Sequence, residues 1–167
     1  MWIRLSAGLL FILGGMFCGF NMADKLKQGV VFCTEAEKLL NICESEIRSN
    51  NSDVYSIVRR LKKENINMRI SFERLPECYS PEVDFHQQWN SSFRSISGID
   101  ADELDIMLSL GSMLGTTDTE GQLKGISHIR AKVEQLYRKR QSEYDKKGRL
   151  YRSIGVLSGA AVGVMII

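Results

Sequence analysis

Charge is missing from both ends of this chain. No residue from Leu5 to Ala23 is charged, and none is from Ser153 to Ile167. All 20 acidic residues lie between Asp24 and Asp145, and 21 of the 22 basic ones lie between Lys25 and Arg152; Arg4 is the exception. The net charge of +2 averages over an apolar head, a highly charged middle and an apolar tail. That layout excludes disorder, a collagen-like fibre, a disulfide mini-protein and a simple cytosolic globule.

The head runs 18 residues from Leu5 to Met22. As a helix it covers about 27 Å, close to the ~30 Å hydrocarbon core of a bilayer. Trp2 stands where an interfacial aromatic anchor belongs. A cleaved signal peptide is the rival reading, but Asn21-Met22-Ala23 is a poor cleavage site and Phe17 spoils a lipobox before Cys18. In the tail, Ser153 to Ile167 is short; extending it back to Leu150 gives 18 residues, with Tyr151 at the interface and Arg152 reaching toward water. Gly155, Gly159 and Gly163 recur every four residues, as do Gly15 and Gly19 in the head. Each glycine costs roughly 1 kcal/mol in a soluble helix, whereas in lipid the same spacing makes a smooth face for another helix. The expectation is therefore an N-terminal transmembrane helix over 1–22, a soluble helical bundle over 23–149 and a C-terminal transmembrane helix over 150–167.

Basic flanks set the orientation. Lys25, Lys27 and Lys38 follow the head; Arg138, Lys139, Arg140, Lys146, Lys147, Arg149 and Arg152 precede the tail. Only Arg4 lies outside. This bias places the middle in the cytoplasm of a two-pass cell-membrane protein. Cys18, Cys33, Cys43 and Cys78 form no CxxC and have no histidine at ligand spacing, which fits reduced thiols rather than a zinc site.

The middle reads as all-α, a bundle of about six helices. Leu26, Val30, Cys33, Ala36, Leu40, Cys43 and Ile47 step by threes and fours along a long first helix. The polar run 49–52 ends it and caps a second, with Val54, Ile57, Val58 and Leu61 on its apolar face. Met68 to Leu75 reads as a third. Ser80-Pro81 reads as the cap of a fourth, carrying Phe85, Trp89, Phe93 and Ile96. Asp100-Ala101-Asp102-Glu103 has the form of a capping box and opens a fifth with Leu104, Met107, Leu108, Gly111 and Leu114. Thr116-Thr117-Asp118 caps a sixth, carrying Leu123, Ile126, Val133, Leu136, Tyr137 and Tyr144, with a kink expected at Gly148. The near-heptad first and last helices suit an antiparallel pairing that sets the membrane helices side by side.

Catalytic constellations are scarce. There is no P-loop, no GxSxG and no HExxH, and Gly121 to Gly125 lacks the Lys and Ser/Thr of a phosphate cradle. His86 and His128 are far apart, and Glu44 and Glu46 diverge on a helix. No metal, cofactor, nucleic acid or small-molecule substrate is expected. Asp100, Asp102, Glu103 and Asp105 suit either helix-dipole compensation or partner docking. Arg138-Lys139-Arg140 and Lys146-Lys147 suit topology and lipid headgroup contact better than nucleic acid.

The last third adds a resemblance. Leu108-x-x-Gly111-x-x-Leu114-Gly115-x-x-Asp118-x-Glu120-x-Gln122 leads to Ile129 and Leu136, then to Lys147-Gly148-Arg149-Leu150-Tyr151-Arg152-Ser153-Ile154-Gly155 and the apolar tail. This resembles the stage III sporulation protein AB family, specifically over residues 104–167 and in general layout before that. The resemblance implies a component of the complex linking mother cell and forespore, similar to the inner-membrane platform protein of type II secretion machines. It implies the cytosolic secretion-type sporulation ATPase and other membrane proteins of the complex as partners, on the mother-cell side, with no enzymatic activity. Gly15, Gly19, Gly155, Gly159 and Gly163 are then candidates for membrane helix packing. The two charged clusters, Asp100–Asp105 and Arg138–Arg140, are candidates for partner docking. Two other classes stay open from residue types alone: a two-pass sensor or chaperone dimerising through coiled-coil-like helices, and a membrane enzyme with a Cys or His nucleophile.

Overall fold

A computed structural model describes the backbone of residues 2–50, 53–64, 66, 68, 72–96 and 98–166, and the side chains of that set except 2–12, 50, 152, 159, 160 and 162–166. Five helices follow in order: α1 (Trp2–Asn50), α2 (Val54–Lys63), α3 (Phe85–Arg94), α4 (Ala101–Met113) and α5 (Thr119–Ile166). No strand occurs among the described residues. The all-α expectation therefore holds, and among the described residues the first and last helices run on into the head and the tail.

Of the expected third helix, Met68–Leu75, residues 69–71 lie outside the described residues. Its described residues form a turn closed by Leu75 N–H donating to Phe72 O at 3.0 Å. Pro76 disfavours the α conformation at Leu75, which suits the turn there. Phe72 and Leu75 are buried. Ser80-Pro81 is likewise not a cap. Asp84 caps α3 instead, accepting from His86 N–H at 2.8 Å and Gln87 N–H at 3.4 Å. The cap of α2 is Asp53, one residue beyond the polar run proposed for it. Gly148 does not interrupt α5; the helix continues through it.

The chain divides into two compact units: unit 1 comprises Met1–Val30 and Tyr137–Ile167, and unit 2 comprises Val31–Leu136. Unit 2 has a single apolar core. Cys33, Ala36, Leu40, Cys43 and Ile47 of α1 enter it as their stripe dictates, joined by Ile57, Val58 and Leu61 of α2 and by Ile126, Val133 and Leu136 of α5. Trp89 is its centre: it is fully buried, tilts against Phe93 at 4.8 Å between ring centroids, and donates its Nε1–H to Met107 O at 2.7 Å. Helix α4 turns inward a face that overlaps the expected one, for Met107, Gly111 and Leu114 are buried as the stripe dictates. Ile106 and Leu110 are buried with Met107 and Gly111, while Leu108 is only half-buried.

Unit 1 pairs the head of α1 with the end of α5. Among the described residues, no helix is long and apolar enough to cross a membrane. The described apolar part of the head is short, because the side chains of residues 2–12 fall outside that set.

Candidate functional site

The motif residues of the last third meet at the corner between α4 and α5. Leu114 ends α4, fully buried, with its N–H donating to Leu110 O at 3.2 Å. Gly115 then takes φ +75°, a left-handed conformation that a side chain resists, and a Cβ there would press on Val54 Cγ2. Asp118 restarts the chain as a helix: its Oδ1 accepts from Gly121 N–H at 3.0 Å. Gln122 is fully buried and donates its Nε2–H to Thr117 O at 2.8 Å, tying α5 back to the turn. Its Oε1 is buried without a hydrogen-bond partner. Gly111 completes the corner, for its missing Cβ is the space that the Trp89 indole occupies. The Gly111 carbonyl also accepts from His86 Nδ1–H at 2.8 Å. Gly148 lies apart, in unit 1, buried beside the Tyr144 ring.

A second constellation is the helix crossing in unit 1. A Cβ on Gly19 would lie 2.6 Å from Tyr151 O and 3.1 Å from Gly155 Cα; one on Gly155 would lie 2.6 Å from Gly15 O. The two main chains thus touch where both helices carry glycine. Large apolar side chains point the other way: Phe17 is 70% exposed and Leu157 68%. Gly159 and Gly163 lie within α5, but their surroundings fall outside the described residues.

The charged clusters fall in separate units. Asp100 caps α4 with its carboxylate on Asp102 N–H at 3.1 Å, and Asp102 and Glu103 occupy the first turn, where the helix dipole favours acids. Asp105 pairs with Lys132 at 3.1 Å. In unit 1, Arg138 and Lys139 are exposed, and the Arg140 stem crosses Gly29.

A polar clamp escaped the sequence reading. Arg130 of α5 donates to Glu37 at 2.9 Å, and to Asn41 and Glu44 at 2.8 Å, all on α1. Arg48 adds a second cation on Glu44 at 2.9 Å. Hydrogen bonds from Arg130 and Arg48 hold the Glu44 carboxyl below its ordinary range. The partners are separated by 86 to 93 residues, so the antiparallel pairing expected of the first and last helices was the signal that could have led to them, but it did not fix which side chains meet.

The groups that could have served catalysis are dispersed. Cys33 and Cys43 are buried, and burial pushes the Cys43 thiol up to about 12. Cys18 and Cys78 are exposed, as is His128. No group of three or more metal-ligating side chains occurs among the described residues.

A family model described as stage III sporulation protein AB matches residues 4–167. The chain belongs to the stage III sporulation protein AB family. Its role accordingly lies in stage III of sporulation, in a family of assembly proteins that is not a known enzyme family. No curated protein and no solved structure matches the chain. In this member, the motif residues Gly111, Leu114, Gly115, Asp118 and Gln122 build the α4–α5 corner.

Proposed function

We propose that this stage III sporulation AB protein is a membrane platform component of the channel between mother cell and forespore. Unit 1 anchors it among membrane helices, and unit 2 faces the mother-cell cytoplasm, where it docks the secretion-type ATPase. The observation that carries this reading is the inverted packing of unit 1. Glycine backbone lies inside the crossing, while Phe17, Met22, Ile154 and Leu157 are left outside. Water drives such side chains inward; lipid and neighbouring membrane helices accept them outside. The clusters Asp100–Asp105 and Arg138–Arg140 offer charged surface for partners, and the role requires no catalysis.

The test is fractionation and capture of the full chain from sporulating cells. It should stay with membranes through an alkaline carbonate wash and co-purify with the ATPase. Gly19→Leu, which drives a side chain into the Tyr151 carbonyl, should abolish sporulation while unit 2 keeps its hydrogen-exchange protection. Charge reversal of Arg138, Lys139 and Arg140 to Glu should weaken ATPase capture. Release by carbonate would refute the anchor. A tight homodimer that captures no ATPase would favour a sensor or chaperone instead.

A further inference from the structure

Charge divides unequally between the units. Unit 1 holds ten of the 22 basic residues and three of the 20 acidic ones; unit 2 holds twelve and seventeen. The surplus in unit 1 has an internal order. Lys25 and Arg149 each lie six residues from the Gly19–Gly155 crossing, and Lys27 and Lys147 each lie eight. At a helical rise of about 1.5 Å, these pairs stand level, roughly 9 Å and 12 Å along the two helices. Lys146 joins them one residue on. All five are exposed, and none has an ion-pair partner among the described residues. Two acids share this level: Asp24, and Asp145, which accepts from Gln141 Nε2–H at 3.0 Å.

Directly next to this collar, exposed apolar side chains begin on both helices. Met22 is 54% exposed and Leu150 52%, followed toward the crossing by Phe20 and Ile154. Arg152, three residues from Gly155, is the one cation between the collar and the crossing; apart from it, the apolar-to-cationic change occurs at one height on two antiparallel helices. A planar boundary imposes that match, and a local protein contact does not. Arg138 and Lys139 begin roughly 10 Å farther along α5 than Lys146, beyond the ~8 Å over which salt water transmits charge.

We propose that the collar of Lys25, Lys27, Lys146, Lys147 and Arg149 binds the anionic headgroups of the bilayer, and that the Arg138–Lys139 cluster does not. The proposal rests on the membrane reading of unit 1 and divides the basic run of α5 into two surfaces with different tasks. Near an anionic surface each cation is worth about a fivefold change in association, so a five-cation collar should select charged lipid even against its two acids.

The experiment places the full chain in nanodiscs of mixed phosphatidylcholine and phosphatidylglycerol and compares spin-labelled forms of each lipid at the protein boundary. Phosphatidylglycerol should be held at least ~3-fold over phosphatidylcholine at low salt, and the preference should vanish near ~1 M salt. It should also vanish in K25Q/K27Q/K146Q/K147Q/R149Q and persist in R138Q/K139Q. Should the fivefold variant fail to fold, K25Q/R149Q alone should lower the preference measurably. Absence of preference in the wild type, its persistence in the fivefold variant, or its loss in R138Q/K139Q would overturn the proposal. So would a collar variant that loses ATPase capture with lipid preference unchanged, which would make the collar a protein-binding surface. A chain that enters no nanodisc instead removes the membrane reading itself, and the collar's lipid role with it.

Discussion

Substituting Gly111 with Ala tests whether the corner motif is an indole socket. The added methyl would fall inside the van der Waals envelope of the Trp89 ring, against Cδ1 and Nε1. Trp89 is fully buried and rigid, so it cannot swing into solvent. Overpacking of this kind costs about 1–3 kcal/mol. Displacing the indole also breaks its 2.7 Å hydrogen bond to Met107 O, and a buried donor left unsatisfied costs a further ~1–3 kcal/mol. Against this, Ala in a helix gains about 1 kcal/mol over Gly. The net expectation is a loss of about 1–5 kcal/mol, or a fall in Tm of roughly 2–20 °C for a chain of this length. Thermal unfolding of the full chain in detergent, followed by near-ultraviolet circular dichroism, reads both Tm and the Trp89 environment. Trp89→Phe in the same chain should relieve much of the overlap, so the double variant should resemble Trp89→Phe alone rather than the sum of the two. A Tm within about 2 °C of wild type, with the tryptophan band unchanged, would refute the socket.

Four further outcomes follow from the geometry. Arg130→Gln removes three contacts to α1 and should cost about 1 kcal/mol, since the groups are partly solvated; urea unfolding measures it. Because the folded state holds the Glu44 carboxyl low, its contribution is present above about pH 4.5 and fades as pH falls through the lowered value; hydrogen exchange of α1 should loosen in acid for wild type and less so for Arg130→Gln. Gly115→Ala should lose about 1–2 kcal/mol from its φ of +75°, with Val54→Ala recovering only the contact part, as denaturant midpoints would show. Maleimide at pH 8 should label Cys78 rapidly and leave buried Cys43 unmodified until unfolding; equal rates would contradict the packing of unit 2.

What the sequence disclosed depended on how local the signal was. Stripes such as Phe85, Trp89 and Phe93 needed only helical period and were legible. So was Asp100, because a carboxylate two residues before its N–H partner is a local device. Helix α4 was harder: apolar residues occupy more than one of its sides, so periodicity could not choose Ile106 and Leu110 over Leu108. At Phe72 and Leu75 the burial comes with a proline-bounded turn, a local device that periodicity alone does not announce. Gln122 belonged to a motif that was visible, yet its task, tying α5 to the Thr117 carbonyl, required the fold. Arg130 gave no local sign at all, because its partners are defined only once α1 and α5 lie together.

The division of the chain has a consequence for the order of its making. Unit 2 is one continuous stretch, whereas unit 1 joins the first helix to the last. During synthesis the Gly19 surface emerges early and its mate Gly155 near the end. Closing so long a loop is slower than forming the contacts within it, and the Arg130–Glu37 link shortens what remains to be closed. Unit 2 therefore folds first and unit 1 last. Any outside helix that competes for the Gly19 notch must arrive before translation delivers Gly155, so partner choice there is a matter of timing as much as of affinity.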